Sequence, residues 1–543
     1  MSPNSLPASA PVRLLDQTGF VFYMLLACLV PLFFIPPSLA VLDTVASEIV
    51  FFKGVAARAL CIGIFILGAL RLLQDGGRAY GRAVALPLAL LGGFVGVSAG
   101  SALLSDDPGF SFGHITTELA LAVAVGLAPL FLSSVARVRL LLGAALAASL
   151  AAASIGLIAV AGFSGIYTVM YGADPIEVAR QGLQGTMGRV EGSPLRAAMM
   201  STFGNPEFSG TFFAGGFLLA FCWVLDGWGV RRLKTPVGWG IGVVVAALLG
   251  IAVLASQTRG ALLAIAAGVL VRWLSSFRLR GWIIAAGLAA VVGSGFLFGV
   301  WGSLGMFAAG MLAAAAWQFR TGDLAGSWRA IPVRTRVLML LVPAAFAGLL
   351  LLGLVYDPVG LRLRELLARV ASSTSTADFS ARQRLIFYMM AGDMLLHHPL
   401  LGIGPGFFPA QYHEALVRLV DADASGLMTY LQIELGSWVA HQAHSDYFQI
   451  AAERGVLGIG LFLGLMTAVL ARLVVLVRAR IPGTAETAAA LTVVLCGYLS
   501  IMMTSFPLLE AGRQATFFVL LAAAFGLLAA KPEASSRAFS DQS

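Results

Sequence analysis

Long apolar runs, each about the length needed to cross a bilayer, alternate with short polar breaks along most of the chain. At roughly 17 to 25 apolar residues per span, the pattern predicts helices over residues 18–36, 55–73, 83–104, 115–133, 138–163, 207–226, 237–256, 260–276, 282–301, 303–319, 337–356, 455–477, 487–509 and 514–530. Only a Gly/Ser turn joins the pair between Arg280 and Arg320, so the expected count is about twelve to fourteen spans. The pattern breaks at length once, over residues 357–454. Apolar positions there recur at helical spacing in 361–371, 385–396 and 448–452, with a Ser/Thr break at 372–376. A connection this long is usually functional or disordered, and its helical periodicity favours an ordered one. The prediction is an all-α polytopic membrane protein with a mostly helical cap on one face. The divisions are 1–356 (first group of spans), 357–454 (the outer loop), 455–530 (last spans) and 531–543 (tail).

Composition strengthens this reading. Of 543 residues, 59% are apolar and 11% charged, against roughly a quarter charged in soluble proteins. The first 17 residues lack the basic start and small-residue cleavage site of a secretory signal, so the first apolar run is expected to remain as a span. Cys28, Cys61, Cys222 and Cys496 lie far apart in apolar runs and read as small buried hydrophobes.

The net charge of +8 would ordinarily point to nucleic acid, but its distribution points elsewhere. Clusters such as Arg71/Arg78/Arg82, Arg137/Arg139, Arg231/Arg232/Lys234 and Arg472/Arg478/Arg480 fall in every second loop, which makes those loops cytoplasmic. With both termini inside, the charge divides into about +14 inside and about −6 outside. The basic excess is a topology signal, and nucleic-acid binding is excluded. The same sorting puts His114, His397, His398, His413, His441 and His444 outside, with the long loop.

Ionisable residues at membrane depth are costly and mark function by default. Arg259 sits in Ser256-Gln257-Thr258-Arg259-Gly260, the only break between two apolar runs, on the outer side. A guanidinium there suits a planar anion such as phosphate; the plain alternative is an arginine snorkelling to headgroups. Lys53 and Arg58 pose the same question. Asn205-Pro206 precedes a span, where the amide caps the helix start or helps bind a polar headgroup. Arg382 and Arg384 open a helical stretch, followed by Gly402-Ile403-Gly404-Pro405-Gly406. No Gly-Lys-Ser/Thr follows, so this is no P-loop, and the glycines serve at least to turn the chain. His441 and His444 are three apart, a weak metal signal. One imidazole as general base fits better, and no metal or cofactor is expected.

These patches, in order, resemble the O-antigen ligase and polymerase superfamily of bacterial inner-membrane glycosyltransferases, which also includes protein O-oligosaccharyltransferases. The matching residues are Gly204-Asn205-Pro206, Ser256-x-x-Arg259-Gly260, Arg384-Leu385 with Tyr388 leading to Pro399-Leu-Leu-Gly-Ile-Gly-x-Gly-Phe, and His444-Ser-Asp-Tyr-Phe-Gln followed by Glu453-x-Gly455. Two positions depart from the usual pattern: Ser445 stands where Asn is frequent, and Tyr388 where Trp is frequent. The resemblance implies a GT-C-like enzyme that moves a glycan from undecaprenyl diphosphate to an acceptor hydroxyl on the periplasmic side, without metal. The acceptor would be lipid A-core, another glycan or a protein. Arg259 and Arg384, supported by Arg382, would hold the diphosphate, and His444 would take the acceptor proton. Glu453 or Asp446 would orient the imidazole. His441, Asn205 and Lys53 complete the expected binding residues. Ligase and polymerase are favoured equally, above protein transfer. A polyprenyl-glycan flippase would also need many spans, but no internal repeat supports it.

Overall fold

The structure, a computed structural model, describes residues 10–33, 45–75, 80–161, 163, 199, 201–203, 205–226, 236–276, 379–422 and 442–530. Among these the regular elements are helices only: α1 (Ala10–Leu32), α2 (Val45–Asp75), α3 (Arg82–Leu103), α4 (Pro108–Phe131), α5 (Val135–Val160), a 3-10 turn (Ser201–Phe203), α6 (Pro206–Asp226), α7 (Pro236–Ser256), α8 (Arg259–Ser276), α9 (Phe379–His397), α10 (Phe408–Ala422), α11 (Asp446–Ala479), α12 (Thr484–Ile501) and α13 (Ala511–Ala529). Ten of these are long and apolar enough to span a membrane. The chain is an all-α multi-pass membrane protein. The expected spans 282–301, 303–319 and 337–356 lie outside the described residues.

The helices overrun the apolar runs because their polar ends are capped rather than frayed. The Asp107 side chain accepts from Phe110 N at 3.0 Å with Pro108 at the first helical position, so α4 begins seven residues before the expected 115. Ser134 starts α5 in the same way, accepting from Arg137 N at 3.3 Å. The opposite correction applies to residues 487–509, expected as one span. Helix α12 stops at Ile501, and the apolar stretch 502–510 is a turn capped by Glu510, whose carboxylate accepts from Gly512 N and Arg513 N at 2.9 and 2.8 Å. Cap and turn bonds satisfy the backbone there, as an apolar setting demands.

Helices α6, α12 and α13 are buried on nearly all sides, whereas α2 presents Ile62, Phe65 and Ile66 outward. Hydrocarbon gives helices little reason to associate, so close approach has to supply the packing energy. Leu218 of α6 seats in a notch opposite Gly268 of α8 and Gly497 of α12, where any Cβ would collide with it. Cys61, Cys222 and Cys496 are buried and Cys28 partly so, all unbridged.

Helices α9 and α10 share a small core of their own, built from Ile386, Phe387, Met390 and Met394 of α9 with Phe408, Tyr412, Ala415 and Leu416 of α10. Arg418 ties the two helices together, donating from Nε and Nη2 to Asp393 Oδ2 at 2.9 and 2.7 Å. The glycines between them do more than turn the chain. Helix α11 is kinked at Gly455 (φ 64°), and the chain from Pro399 to Gly404 runs along the kink. Val456 N donates to Pro399 O (2.8 Å), Ile403 N to Ala452 O (3.0 Å) and Gly404 N to Glu453 O (3.1 Å). A side chain on Gly402 (φ 70°) would strike the backbone of Glu453 and Arg454, and one on Gly455 the backbone of Leu400. Both positions therefore need glycine for space and for backbone angle.

Candidate functional site

Distant patches converge on the turn 502–510. Ser445, at the start of α11, donates from Oγ to Met502 O at 2.9 Å, and Asp446 N donates to the same carbonyl at 3.0 Å. Tyr388 of α9 donates to Met503 O at 2.9 Å and stacks on Phe448 with ring centroids 4.3 Å apart. Burial raises the Tyr388 hydroxyl to about 12, so it stays a donor. Gly260 of α8 faces Thr504, and Phe208 of α6 meets Phe506 edge-on at 5.6 Å. The starts of α6 and α8 are joined directly, because Thr258 Oγ1 donates to Pro206 O at 3.1 Å. Thus the Asn-Pro, Arg-Gly, Arg384 and His444 patches meet at one end of the bundle.

His444 sits between two rings. Phe387 lies nearly parallel to the imidazole (5.6 Å, 18°) and Phe506 stands edge-on to it (5.2 Å, 83°). Neither imidazole nitrogen is hydrogen-bonded to a described residue. The backbone is in the left-handed region (φ 54°), which costs a non-glycine residue of order 1–3 kcal/mol and persists where the surroundings enforce it. Here its neighbours do so: Ala443 N donates to Gln449 Oε1 at 2.7 Å, and Ser445 is held as described. Four described residues other than glycine have positive φ, and three of them, Ser201, Gln257 and His444, lie in or beside these patches. Burial lowers the His444 pKa, with Arg384 and Arg513 adding to the effect and Glu207 opposing it. The surroundings therefore favour the neutral ring.

Arg384 is one turn from Tyr388 and near His444 in the field it exerts. Its Nε is buried without a hydrogen-bond partner, and among the described residues it has no ion pair. A buried guanidinium lacking an anion calls for an explanation, and an anionic ligand supplies one. Arg259 opens α8 beside Gly260 and the Thr504 turn. Arg382 is described only as part of the first turn of α9, and His441 lies outside the described residues.

The other expected binding residues are committed elsewhere. Asn205 caps α6, its Oδ1 accepting from Glu207 N at 2.8 Å. Lys53 is fully buried, donating to Pro31 O at 2.9 Å with its ammonium 3.7 Å from the Phe203 ring centre. It braces α2 against the end of α1 and offers no surface to a ligand. Arg58 donates to Thr116 Oγ1 at 3.0 Å. Asp446 accepts from Leu508 N at 3.1 Å. Glu453 accepts from Gly406 N at 2.9 Å and from Gln449 Nε2 at 2.6 Å. Neither carboxylate is hydrogen-bonded to His444. Glu453 reaches the histidine loop only through Gln449, which in turn holds Ala443 N.

Several residues at this end escape a reading of the sequence. Arg513 is wholly buried, 3.5 Å from Glu510 and 3.0 Å from Ser505 Oγ, with its guanidinium 3.9 Å from the Phe208 ring centre. Arg454 forms a buried 2.6 Å ion pair with Glu118 of α4. Glu207 acts electrostatically on His444, Tyr388 and Arg513. Phe506 is one apolar residue in an apolar stretch. The only signal at sequence level is that Glu207, Glu510 and Arg513 are charges bordering apolar runs.

Residues 243–463 match the family model described as O-antigen ligase. This match supports placing the chain in the O-antigen ligase superfamily, as the ordered patches implied. It supports ligase- or polymerase-type function: a glycosyltransferase-like enzyme that works on lipid-linked glycan and acceptor substrates in a membrane. No curated protein matches the chain. The O-antigen ligase match contains Arg259, Arg384, His444 and Glu453. Asn205, Glu207, Phe506 and Arg513 lie beyond it, so the site is built from the matched segment and from helices on both sides of it.

Proposed function

We propose that the chain transfers a glycan from undecaprenyl diphosphate to an acceptor hydroxyl at the periplasmic face of a bacterial inner membrane, as an O-antigen ligase acting on lipid A-core or as an O-antigen polymerase. One observation carries the reading: a ring-clamped His444 and Arg384, which has no ion pair among the described residues, share the end of the bundle where α8 presents Arg259. The donor arrives already activated, since nucleotide sugars and ATP are cytoplasmic. His444 accepts the proton of the acceptor hydroxyl, whose oxygen attacks the anomeric carbon while the bond to the diphosphate oxygen breaks. Direct displacement inverts the anomeric centre. Charge builds on the leaving diphosphate, and guanidinium groups already in place lower that barrier without reorganising. Arg259 and Arg384 fill this role, with Arg382 beside them. Both chain termini are cytoplasmic in this reading, consistent with the basic loops. No metal is invoked, and transfer lost in chelator and restored by a divalent ion would overturn that part.

The deciding experiment is analysis of lipopolysaccharide and carrier lipid in a deletion strain. Long chains left on the carrier with bare lipid A-core indicate a ligase, and single repeat units on the core a polymerase. Intact lipopolysaccharide with lost protein glycans would indicate protein transfer instead. Unchanged glycans of all three kinds would sink the reading.

A further inference from the structure

General-base catalysis at His444 creates an imidazolium beside two arginines, and that charge needs an answering carboxylate. The two acidic residues nearest in sequence do not supply it. Asp446 is turned to Leu508 N, and Glu453 is buried between Gly406 N and Gln449. Glu207 is differently placed. It stands in the first turn of α6, immediately before Phe208. Phe208 packs edge-on against Phe506 and Phe506 edge-on against His444, so a single ring separates the start of α6 from the imidazole. Three charged side chains act on His444 from the elements around it: Glu207 from α6, Arg384 from α9 and Arg513 from α13. Glu207 is the one anion of the three, and it also acts on Tyr388 and Arg513.

Resting on the reading of His444 as the base, we propose that Glu207 is the positioning residue that stabilises the imidazolium formed when His444 takes the acceptor proton. In that step the proton moves from the acceptor oxygen to an imidazole nitrogen. The new glycosidic bond forms as the bond to the diphosphate breaks, and the leaving oxygen keeps the electron pair. The imidazolium then releases its proton to water or to the departing diphosphate before the next turnover. Glu207 thus offsets Arg384, which the diphosphate requires, and the buried Arg513, both of which weaken His444 as a base.

Two readouts test this separately from the base assignment. The first is modification of His444 by diethyl pyrocarbonate, which attacks only neutral imidazole, followed by mass spectrometry across a pH series. In Glu207→Gln the midpoint of labelling moves to lower pH than in the wild type; an unmoved midpoint overturns the proposal, whatever reaction the protein performs. The second is glycan transfer from a polyprenyl diphosphate-linked oligosaccharide to rough lipopolysaccharide. Glu207→Gln is expected to lose about tenfold or more at neutral pH, with the acid limb of the profile displaced downward and Glu207→Asp recovering much of the rate. Full transfer by His444→Ala would instead remove the base reading, while the labelling result would still report on Glu207. If Glu207→Gln does not accumulate in the membrane, Glu207→Cys decides the matter. Recovery of transfer by a sulfonate-bearing thiosulfonate reagent but not by an ammonium-bearing one supports the proposal, and recovery by both or by neither overturns it.

Discussion

Phe506 meets His444 edge-on, with ring centroids 5.2 Å apart and planes at 83°. With the nearly parallel Phe387, the contact fixes the imidazole, in place of the carboxylate hydrogen bond common among catalytic histidines. Phe506→Leu removes the edge contact while keeping an apolar side chain. Transfer should fall about tenfold or more through kcat, with KM for the donor little changed, because a misaligned base loses reactivity rather than binding. Steady-state kinetics on the purified variant checks this.

His444→Ala and His444→Gln should each abolish transfer while membrane abundance stays at the wild-type level, measured by immunoblot beside lipopolysaccharide ladders. Retained laddering would contradict the role given to the imidazole.

The pH dependence follows from burial. A histidine whose pKa is lowered keeps its neutral form to lower pH, so the base is available throughout the neutral range. Activity should be flat there and decline only on acidification below the ordinary histidine value of about 6.5. A profile already falling between pH 8 and 7 would be incompatible with this environment.

Arg384 has no ion pair among the described residues and its Nε is buried without an acceptor there, so its fork geometry matters as well as its charge. Arg384→Lys keeps the charge and loses the paired donors. It should retain part of the transfer activity but raise KM for the diphosphate donor, whereas Arg384→Ala loses both. Equal activity in wild type and Arg384→Ala would remove it from the donor site.

The Arg454–Glu118 pair is structural. Arg454→Met leaves a buried carboxylate unpaired, which typically costs about 3–5 kcal/mol, whereas replacing both partners by apolar residues is often close to neutral. Thermal unfolding in detergent should show a large loss for Arg454→Met and a marked recovery when Glu118→Leu is added.

Much of this was legible in the chain itself. The spans follow from apolar run length, and the ordered patches led to Arg259, Arg384 and His444. What escaped notice was the turn 502–510, because Met502, Met503, Phe506, Leu508 and Leu509 continue the hydropathy of α12 and give no local sign of ending it. The hub of the site therefore read as membrane span. Glu207 was hidden for a related reason, since the groups it acts on lie far along the chain and no spacing rule connects them, whereas Arg513 was hidden with the turn itself, where its partners Ser505 and Glu510 lie. Lys53 shows the reverse case. A lysine in an apolar run announces function, but here its charge is met by the Pro31 carbonyl and the face of Phe203.

The seam between Gly402 and Gly455 bears on any attempt to exchange this segment between homologues. The segment 379–422 has no floor of its own, because its glycine loop rests directly on the main chain of α11. Transplanting residues 379–422 alone would set them on a foreign ledge with the wrong contour. In this architecture α9, α10 and the part of α11 before the kink form a single cassette, and engineering has to move them together.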